Sequence, residues 1–209
     1  MTEGYQDFVE RNHRWNFVVN VLDMTFYNLA LSFIFGSTVL SLYTSYLTTS
    51  AVLIGLIPAV QSVGFYLPQL LFARKASMLP RKKPLVVVIS IFERMPYIFV
   101  ALLALLWPAA PNWLAYGVLL VSLASATMAG GMGGPAWQSM LAKVIKPNRR
   151  GTMFGLSNAI GGFLGILGAM YSGVVLKNQP YPRSFGICFL LCFFFQVLSW
   201  VSLNLVREP

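Results

Sequence analysis

The chain has 209 residues, of which 57% are hydrophobic and only 10% are charged, and its formal net charge is +9. A soluble domain carries roughly 25% charged residues, so this composition excludes an ordinary water-exposed surface and predicts a protein solvated by lipid. Because the basic residues lie in short clusters between long apolar runs, as in membrane loops, we expect lipid bilayer and no nucleic acid among its partners.

Six apolar stretches are long enough to cross the hydrocarbon core, which takes about 20 helical residues. Helices are expected because an open strand would leave backbone groups unsatisfied in lipid. The sequence therefore predicts an all-α integral membrane protein with one six-helix transmembrane domain over residues 15–206. A cytoplasmic segment 1–14 precedes it, and a cytoplasmic linker starts at 207–209. The predicted spans are about 17–42, 51–73, 85–106, 114–137, 152–176 and 185–206.

The connections between the spans differ in charge. The loop between spans two and three carries five Lys/Arg, among them Arg81, Lys82 and Lys83, and the loop between spans four and five carries four. With three more near the termini, one side of the membrane holds twelve Lys/Arg and the other holds two. The positive-inside rule places the basic side in the cytoplasm. We therefore expect a multi-pass protein of the cell (inner) membrane with both termini cytoplasmic.

Polar residues recur along the first span. Asn16, Asn20, Asp23 and Tyr27 are spaced by four, three and four residues, which places them in one stripe on a helix. The second span has a broader polar side that includes Gln61. In lipid, such surfaces indicate either interhelical hydrogen bonds or a shared cavity.

Asp23, Glu93 and Arg94 are the charged residues that fall well inside the predicted spans. Each costs about 2.5–3.5 kcal/mol at mid-membrane, so each is expected to face a partner or a water-filled cavity. One interpretation is an ion pair of Arg94 with Asp23 or Glu93 that only fastens helices. The interpretation that we favour is a substrate or coupling site, because buried ion pairs are poor stabilisers. The candidate residues are Asn20, Asp23, Tyr27, Gln61, Glu93 and Arg94.

Adjacent helical residues point about 100° apart, so Glu93 and Arg94 are not expected to serve one partner in the same way. Asp23 is the acid in another span, and the long arginine side chain can reach it. We therefore expect one coupled group, in which Arg94 pairs with Asp23 and Glu93 is left free for a proton or a cationic solute.

The sequence offers few residues suited to catalysis or to metal binding. The single histidine, His13, lies in the polar N-terminal segment. Cys188 and Cys192 are four residues apart in an apolar run, a spacing that allows a metal or redox pair but that we interpret as core packing. No Ser/His, Cys/His or metal-ligand pattern occurs in the predicted spans. We expect no enzyme activity, no cofactor and no metal.

Small residues are concentrated at two places. Gly161, Gly165, Ala169 and Gly173 repeat every four residues in span five, which predicts a smooth ridge for close helix packing. Four glycines and a proline within residues 130–135 predict a bend near the end of span four.

The order of these features along the chain is similar to that in a known protein family. Residues 134–137 (GPAW), residues 146–151 (KPNRRG) and Phe154-Gly155 lead into the glycine-rich fifth span, after a basic loop between spans two and three. This layout resembles the N-terminal six-helix half of a major facilitator superfamily transporter over nearly the whole chain. Of the sequence motif that the superfamily carries in the loop between spans two and three, only the basic residues Arg81, Lys82 and Lys83 are present. Span four has no intramembrane arginine and span five lacks the drug-antiporter Gly-Pro element, so drug/proton exchange is not implied.

The resemblance implies a secondary active transporter, or half of one, that moves a small solute by alternating access. Members have two six-helix halves with the solute between them near the midplane. We therefore expect the chain to act with a second six-helix half or as a homodimer, and not to transport as a monomer. A truncated transporter is the favoured interpretation of its length. The alternative is a non-transporting membrane scaffold or assembly factor on the same fold.

The charge bias makes the orientation testable. A membrane-impermeant maleimide added to intact cells should label Thr49→Cys and Asn112→Cys but not Arg81→Cys, because the loop with five Lys/Arg is expected inside. The native cysteines are first replaced by alanine, and Arg81→Cys should become reactive once the cells are permeabilised. Efficient labelling of Arg81→Cys from outside would overturn the orientation.

Overall fold

The computed structural model describes the backbone of residues 3–209 and the side chains of residues 4–74 and 78–209. Within that range the chain is helical apart from short connections, and six segments are long and apolar enough to cross a membrane. The predicted all-α membrane fold is confirmed. The helices are α1 (Glu3–Ser32), α2 (Ser41–Leu47), α3 (Ala51–Met78), α4 (Lys83–Arg94), α5 (Pro96–Leu106), α6 (Asn112–Val144), α7 (Pro147–Asn178) and α8 (Arg183–Asn204).

The first span is longer than predicted and is made of three pieces. After α1, a π-helical turn occupies Gly36–Leu40, and α2 continues to Leu47. Polar residues past position 42 do not end the helix, because their hydroxyls bond to carbonyls of the preceding turn. Thr44 donates to the Leu40 carbonyl at 2.8 Å, and Ser45 donates to the Leu42 carbonyl at 2.8 Å.

The third span is interrupted in its middle. α4 ends at Arg94 and α5 begins at Pro96, with Met95 between them. A proline has no N–H to donate, and its ring crowds the carbonyl four residues earlier, which here belongs to Phe92. The interruption therefore follows directly after Glu93 and Arg94.

The helices form one bundle in which α8 lies between two groups. α1 packs against α7 and α8, α6 packs against α3, α4 and α5, and α8 also contacts α4 and α5. Cys188 and Cys192 are both free and fully buried in the apolar core that also holds Phe185 and Phe189, which agrees with their interpretation as packing residues.

The glycines of α7 pack only partly as predicted. A Cβ at Gly161 would lie 3.0 Å from Cβ of Asn28, and one at Gly165 would lie 3.6 Å from Cβ of Ser32, so these two positions face α1. Ala169 and Gly173 are exposed, so the four residues do not form one ridge. A row of residues spaced by four turns about 40° around a helix at each step, and it leaves the contact after two steps.

Both termini and the two basic loops meet at one end of the bundle, which we call the basic end. Tyr5 donates to the Lys143 carbonyl at 3.0 Å, and Lys146 pairs with Glu10 at 3.0 Å. Asn16 exchanges two hydrogen bonds of 2.9 Å with the backbone of Arg207. The predicted grouping of termini and basic loops on one side therefore agrees with the structure.

Glu208 connects the C-terminal segment to the start of α4 at the basic end. Its carboxylate accepts from the backbone N–H of Lys82 at 2.9 Å and from that of Lys83 at 2.7 Å, and Lys143 Nζ lies 3.5 Å away. The side chain is 2% exposed. A carboxylate is favoured there because the first N–H groups of α4 lack helical partners and carry partial positive charge. Lys82 and Lys83 thus bind Glu208 through their backbones, while Arg81 is exposed.

Residues 130–135 remain within α6, which is unbroken through Pro135. The glycines here serve close packing. A Cβ added at Gly131 would collide with the backbone carbonyl of Phe65 in α3, and one at Gly133 would lie 3.2 Å from Ile89 Cγ2 in α4.

Replacing Gly131 with alanine should therefore push α3 away from α6. We expect Gly131→Ala to lower stability by about 1–3 kcal/mol, the usual cost of overpacking, measured as a lower melting temperature in detergent. Gly117→Ala is the matched control, because Gly117 lies in the same helix and a Cβ there meets nothing within 4 Å. Equal melting temperatures for the two variants would contradict the close approach.

Candidate functional site

Asp23, Glu93 and Arg94 meet where α1, α4 and α8 pack together. Arg94 Nη1 donates to Glu93 Oε2 at 3.0 Å, and Arg94 Nη2 lies 3.5 Å from Asp23 Oδ1. The side chains of Asp23 and Arg94 are each 6% exposed, and that of Glu93 is 18% exposed. These distances place the three residues in one group, as the sequence led us to expect.

Ser199 of α8 joins the acid and the base, and sequence reasoning did not identify it as a site residue. Its hydroxyl accepts from Arg94 Nη2 at 2.9 Å and donates to Asp23 Oδ1 at 2.6 Å. The hydroxyl therefore bridges Arg94 and Asp23 in addition to their direct ion pair. A weak signal did exist, since Gln196 and Ser199 are three residues apart on one face of a largely apolar span.

The expectation that Glu93 would have no partner in the protein is wrong, while its binding of a proton or a cationic solute stays a prediction. Besides its pair with Arg94, Glu93 accepts a hydrogen bond at its Oε1 from the Tyr27 hydroxyl at 2.9 Å. Arginine presents its donors in a planar fork, so one guanidinium can serve acids that lie in different directions. Two carboxylates therefore share a single guanidinium.

The charged group borders a cavity of about 300 Å³. Tyr27, Phe65 and Trp137 contribute aromatic rings to its walls, and Asn28 and Gln138 contribute amides. α6 makes room for the acid, because a Cβ at Gly130 would lie 3.0 Å from Glu93 Oε1. The full lining is Asp23, Met24, Tyr27, Asn28, Phe65, Val86, Ser90, Glu93, Arg94, Gly130, Gly133, Gly134, Trp137, Gln138 and Leu203.

Two of the six candidate residues lie outside this lining. Asn20 is fully buried and donates to the Asn16 carbonyl at 2.7 Å. Gln61 is half-buried on α3 near Gly36, in the part of the bundle away from the basic end. The polar residues of α1 therefore have different neighbours. Asn16 hydrogen-bonds the backbone of Arg207, whereas Asp23 and Tyr27 border the cavity.

Across the described residues, no group of three His, Cys, Asp or Glu side chains is arranged to hold a metal ion. The chemistry that the cavity offers is charge, hydrogen bonding and aromatic contact.

Comparison with known proteins identifies the architecture. Residues 17–209, nearly the whole chain, match the family model described as Major Facilitator Superfamily. No curated protein and no solved structure matches the chain.

The shared guanidinium predicts coupled effects of mutation. Arg94→Gln should destabilise the protein by about 3–5 kcal/mol, because it leaves two buried carboxylates without their cation. Asp23→Asn should destabilise it less, because Arg94 keeps its 3.0 Å contact with Glu93. The double variant should recover part of the loss caused by Arg94→Gln, measured as a double-mutant cycle on melting temperature in detergent.

Asp7→Asn is the control for this cycle, because Asp7 is an exposed acid on the same helix and its loss should leave the melting temperature unchanged. Strictly additive effects of Asp23→Asn and Arg94→Gln would show that the two side chains do not interact.

Proposed function

This chain belongs to the major facilitator superfamily, and on that premise we propose that it moves a small solute across the membrane by secondary active transport. The superfamily is one of transporters rather than enzymes. The observation that carries the proposal is the cavity of about 300 Å³ beside the charged group. Binding sites of transporters of this kind are expected near the middle of the bilayer.

The exposure of Glu93 argues against a purely fastening role for the charges. Buried charges that only hold helices together are best sealed from water, because the low dielectric strengthens their attraction. Here Glu93 and Arg94 border an open space, and Gly130 keeps that space clear of a side chain. We infer that Glu93, Arg94, Asp23 and Tyr27 form the solute or coupling site.

The same group supplies a route to alternating access. Two carboxylates share one guanidinium, so neutralising either acid leaves Arg94 paired with the other. A solute or proton that neutralises one acid changes which pairing is favoured, and a ligand shifts a conformational equilibrium by its differential affinity for the two states. The break between α4 and α5 lies directly after Arg94, where Pro96 has no N–H to donate to the Phe92 carbonyl. We infer that a change in the charged group is taken up by the backbone at this break.

We propose that a second six-helix half or a second copy of this chain packs against this one. The second and fifth spans are the least buried, at 11% and 22% of their most apolar stretches, against 56% for the first. In α7, added Cβ atoms at Gly155, Gly162 and Gly173 would meet nothing within 4 Å. These open faces offer a smooth surface for another helix. We place the basic end in the cytoplasm and the protein in the cell membrane on the positive-inside rule.

The proposal predicts that small solutes stabilise the purified protein. A panel of amines, carboxylates, sugars and neutral amides is screened by thermal unfolding, and at least one class should raise the melting temperature. A ligand present at 100 times its Kd adds about 2.7 kcal/mol. The stabilising solute should lose its effect on Glu93→Gln and keep it on Asp7→Asn. If no class stabilises the wild type, the membrane scaffold or assembly factor becomes the better description.

A further inference from the structure

The charges that border the cavity do not balance. In the part of the chain that the structure describes, the lining carries two carboxylates, Asp23 and Glu93, and one guanidinium, Arg94. With all three ionised, the group has a net charge of −1. A net charge bordering a cavity of low dielectric attracts an ion of opposite sign far more strongly than it would in water.

Resting on the proposed function, we propose that the solute is a compact organic monocation whose ammonium group binds Glu93 between aromatic walls.

Glu93 is the acid positioned to receive a ligand. Its side chain is three times as exposed as that of Asp23, at 18% against 6%. One of its oxygens accepts from Tyr27 and the other accepts from Arg94. A carboxylate can accept about four hydrogen bonds, so the partly exposed carboxylate of Glu93 retains acceptor capacity toward the cavity.

An anionic solute is disfavoured by the state of Arg94. Nη1 of Arg94 is bound to Glu93, and Nη2 is bound to Ser199 next to Asp23. The side chain is only 6% exposed. Nε of Arg94 has no hydrogen-bond partner among the described residues, but it is buried. A carboxylate or phosphate that reached the guanidinium would lie beside the negative charges of Asp23 and Glu93.

The walls distinguish an organic cation from a bare metal ion or proton. Phe65 and Trp137 present aromatic surface to the same cavity, and aromatic faces attract ammonium groups within about 6 Å of the ring centroid. The Tyr27 ring already has the Arg94 guanidinium 5.7 Å from its centroid. A volume of about 300 Å³ is at the lower end for small-molecule sites, so the solute is compact.

Three probes with the same ring and chain length but different head groups test the charge requirement. They are 2-phenylethylammonium, neutral 2-phenylethanol and anionic phenylacetate, added to the purified full chain in nanodiscs. The readouts are melting temperature and quenching of tryptophan fluorescence, since Trp137 borders the cavity. We expect saturable binding of 2-phenylethylammonium, with no competition by the other two probes.

Glu93→Gln keeps the shape of the side chain and removes its charge, so it should weaken 2-phenylethylammonium binding about ten-fold or more. Asp7→Asn lies outside the cavity and should bind this probe as the wild type does. If Glu93→Gln does not fold, competition among the three probes on the wild type decides the question.

Saturable binding of phenylacetate or 2-phenylethanol in place of the cation, cation binding unchanged in Glu93→Gln, or no saturable binding of any probe would each overturn the monocation proposal. The proposal of solute transport would still hold if another solute class in the panel of amines, carboxylates, sugars and neutral amides stabilised the protein. It would be rejected only if no class did. The two proposals therefore fail by different results.

Discussion

One guanidinium shared by two carboxylates holds the interior of this bundle together. Arg94 comes from α4, Asp23 from α1 and Ser199 from α8, so three helices that are distant in sequence meet at a single planar group. In lipid the alternative to these contacts is an uncompensated charge, which is costly at mid-membrane. The packing of α1, α4 and α8 is therefore constrained by electrostatics as well as by shape.

The polar group also explains why small residues are needed around it. Gly130 gives the Glu93 carboxylate its space, and the close approach of Gly131 to Phe65 brings α3 and α6 together at the same level. Larger side chains at these positions would fill the cavity or separate its walls. The glycines of α6 therefore affect the site because they have no side chain to occupy this space. Helix flexibility is not required to explain their presence.

The fold could be predicted from the sequence because apolar length and loop charge act locally along the chain. The meeting of Asp23 and Arg94 was also predictable, since depth in the membrane follows from residue count at about 1.5 Å per residue. Ser199 could not be found in this way, because a hydroxyl in a span can bond to its own helix and so carries little signal.

Polarity alone also misdirected the assignment of Asn20 and Gln61. It indicates that a side chain avoids lipid, but not which neighbour it meets. Asn20 meets its own helix, and Gln61 lies away from the cavity. Trp137 and Gln138 border the cavity through the tertiary packing of α6, which no periodicity in the sequence describes.

The hydrogen bonds of Glu208 link the C-terminal segment to α4. α4 is a single rod of 12 residues, or about 18 Å at 1.5 Å per residue, with the Glu208 carboxylate at its first turn and Arg94 at its last. The backbone N–H groups of Lys82 and Lys83 therefore connect residue 208 to the same helix whose last residue binds both acids. A displacement of residue 208 along the axis of α4 would reach the charged group through this helix.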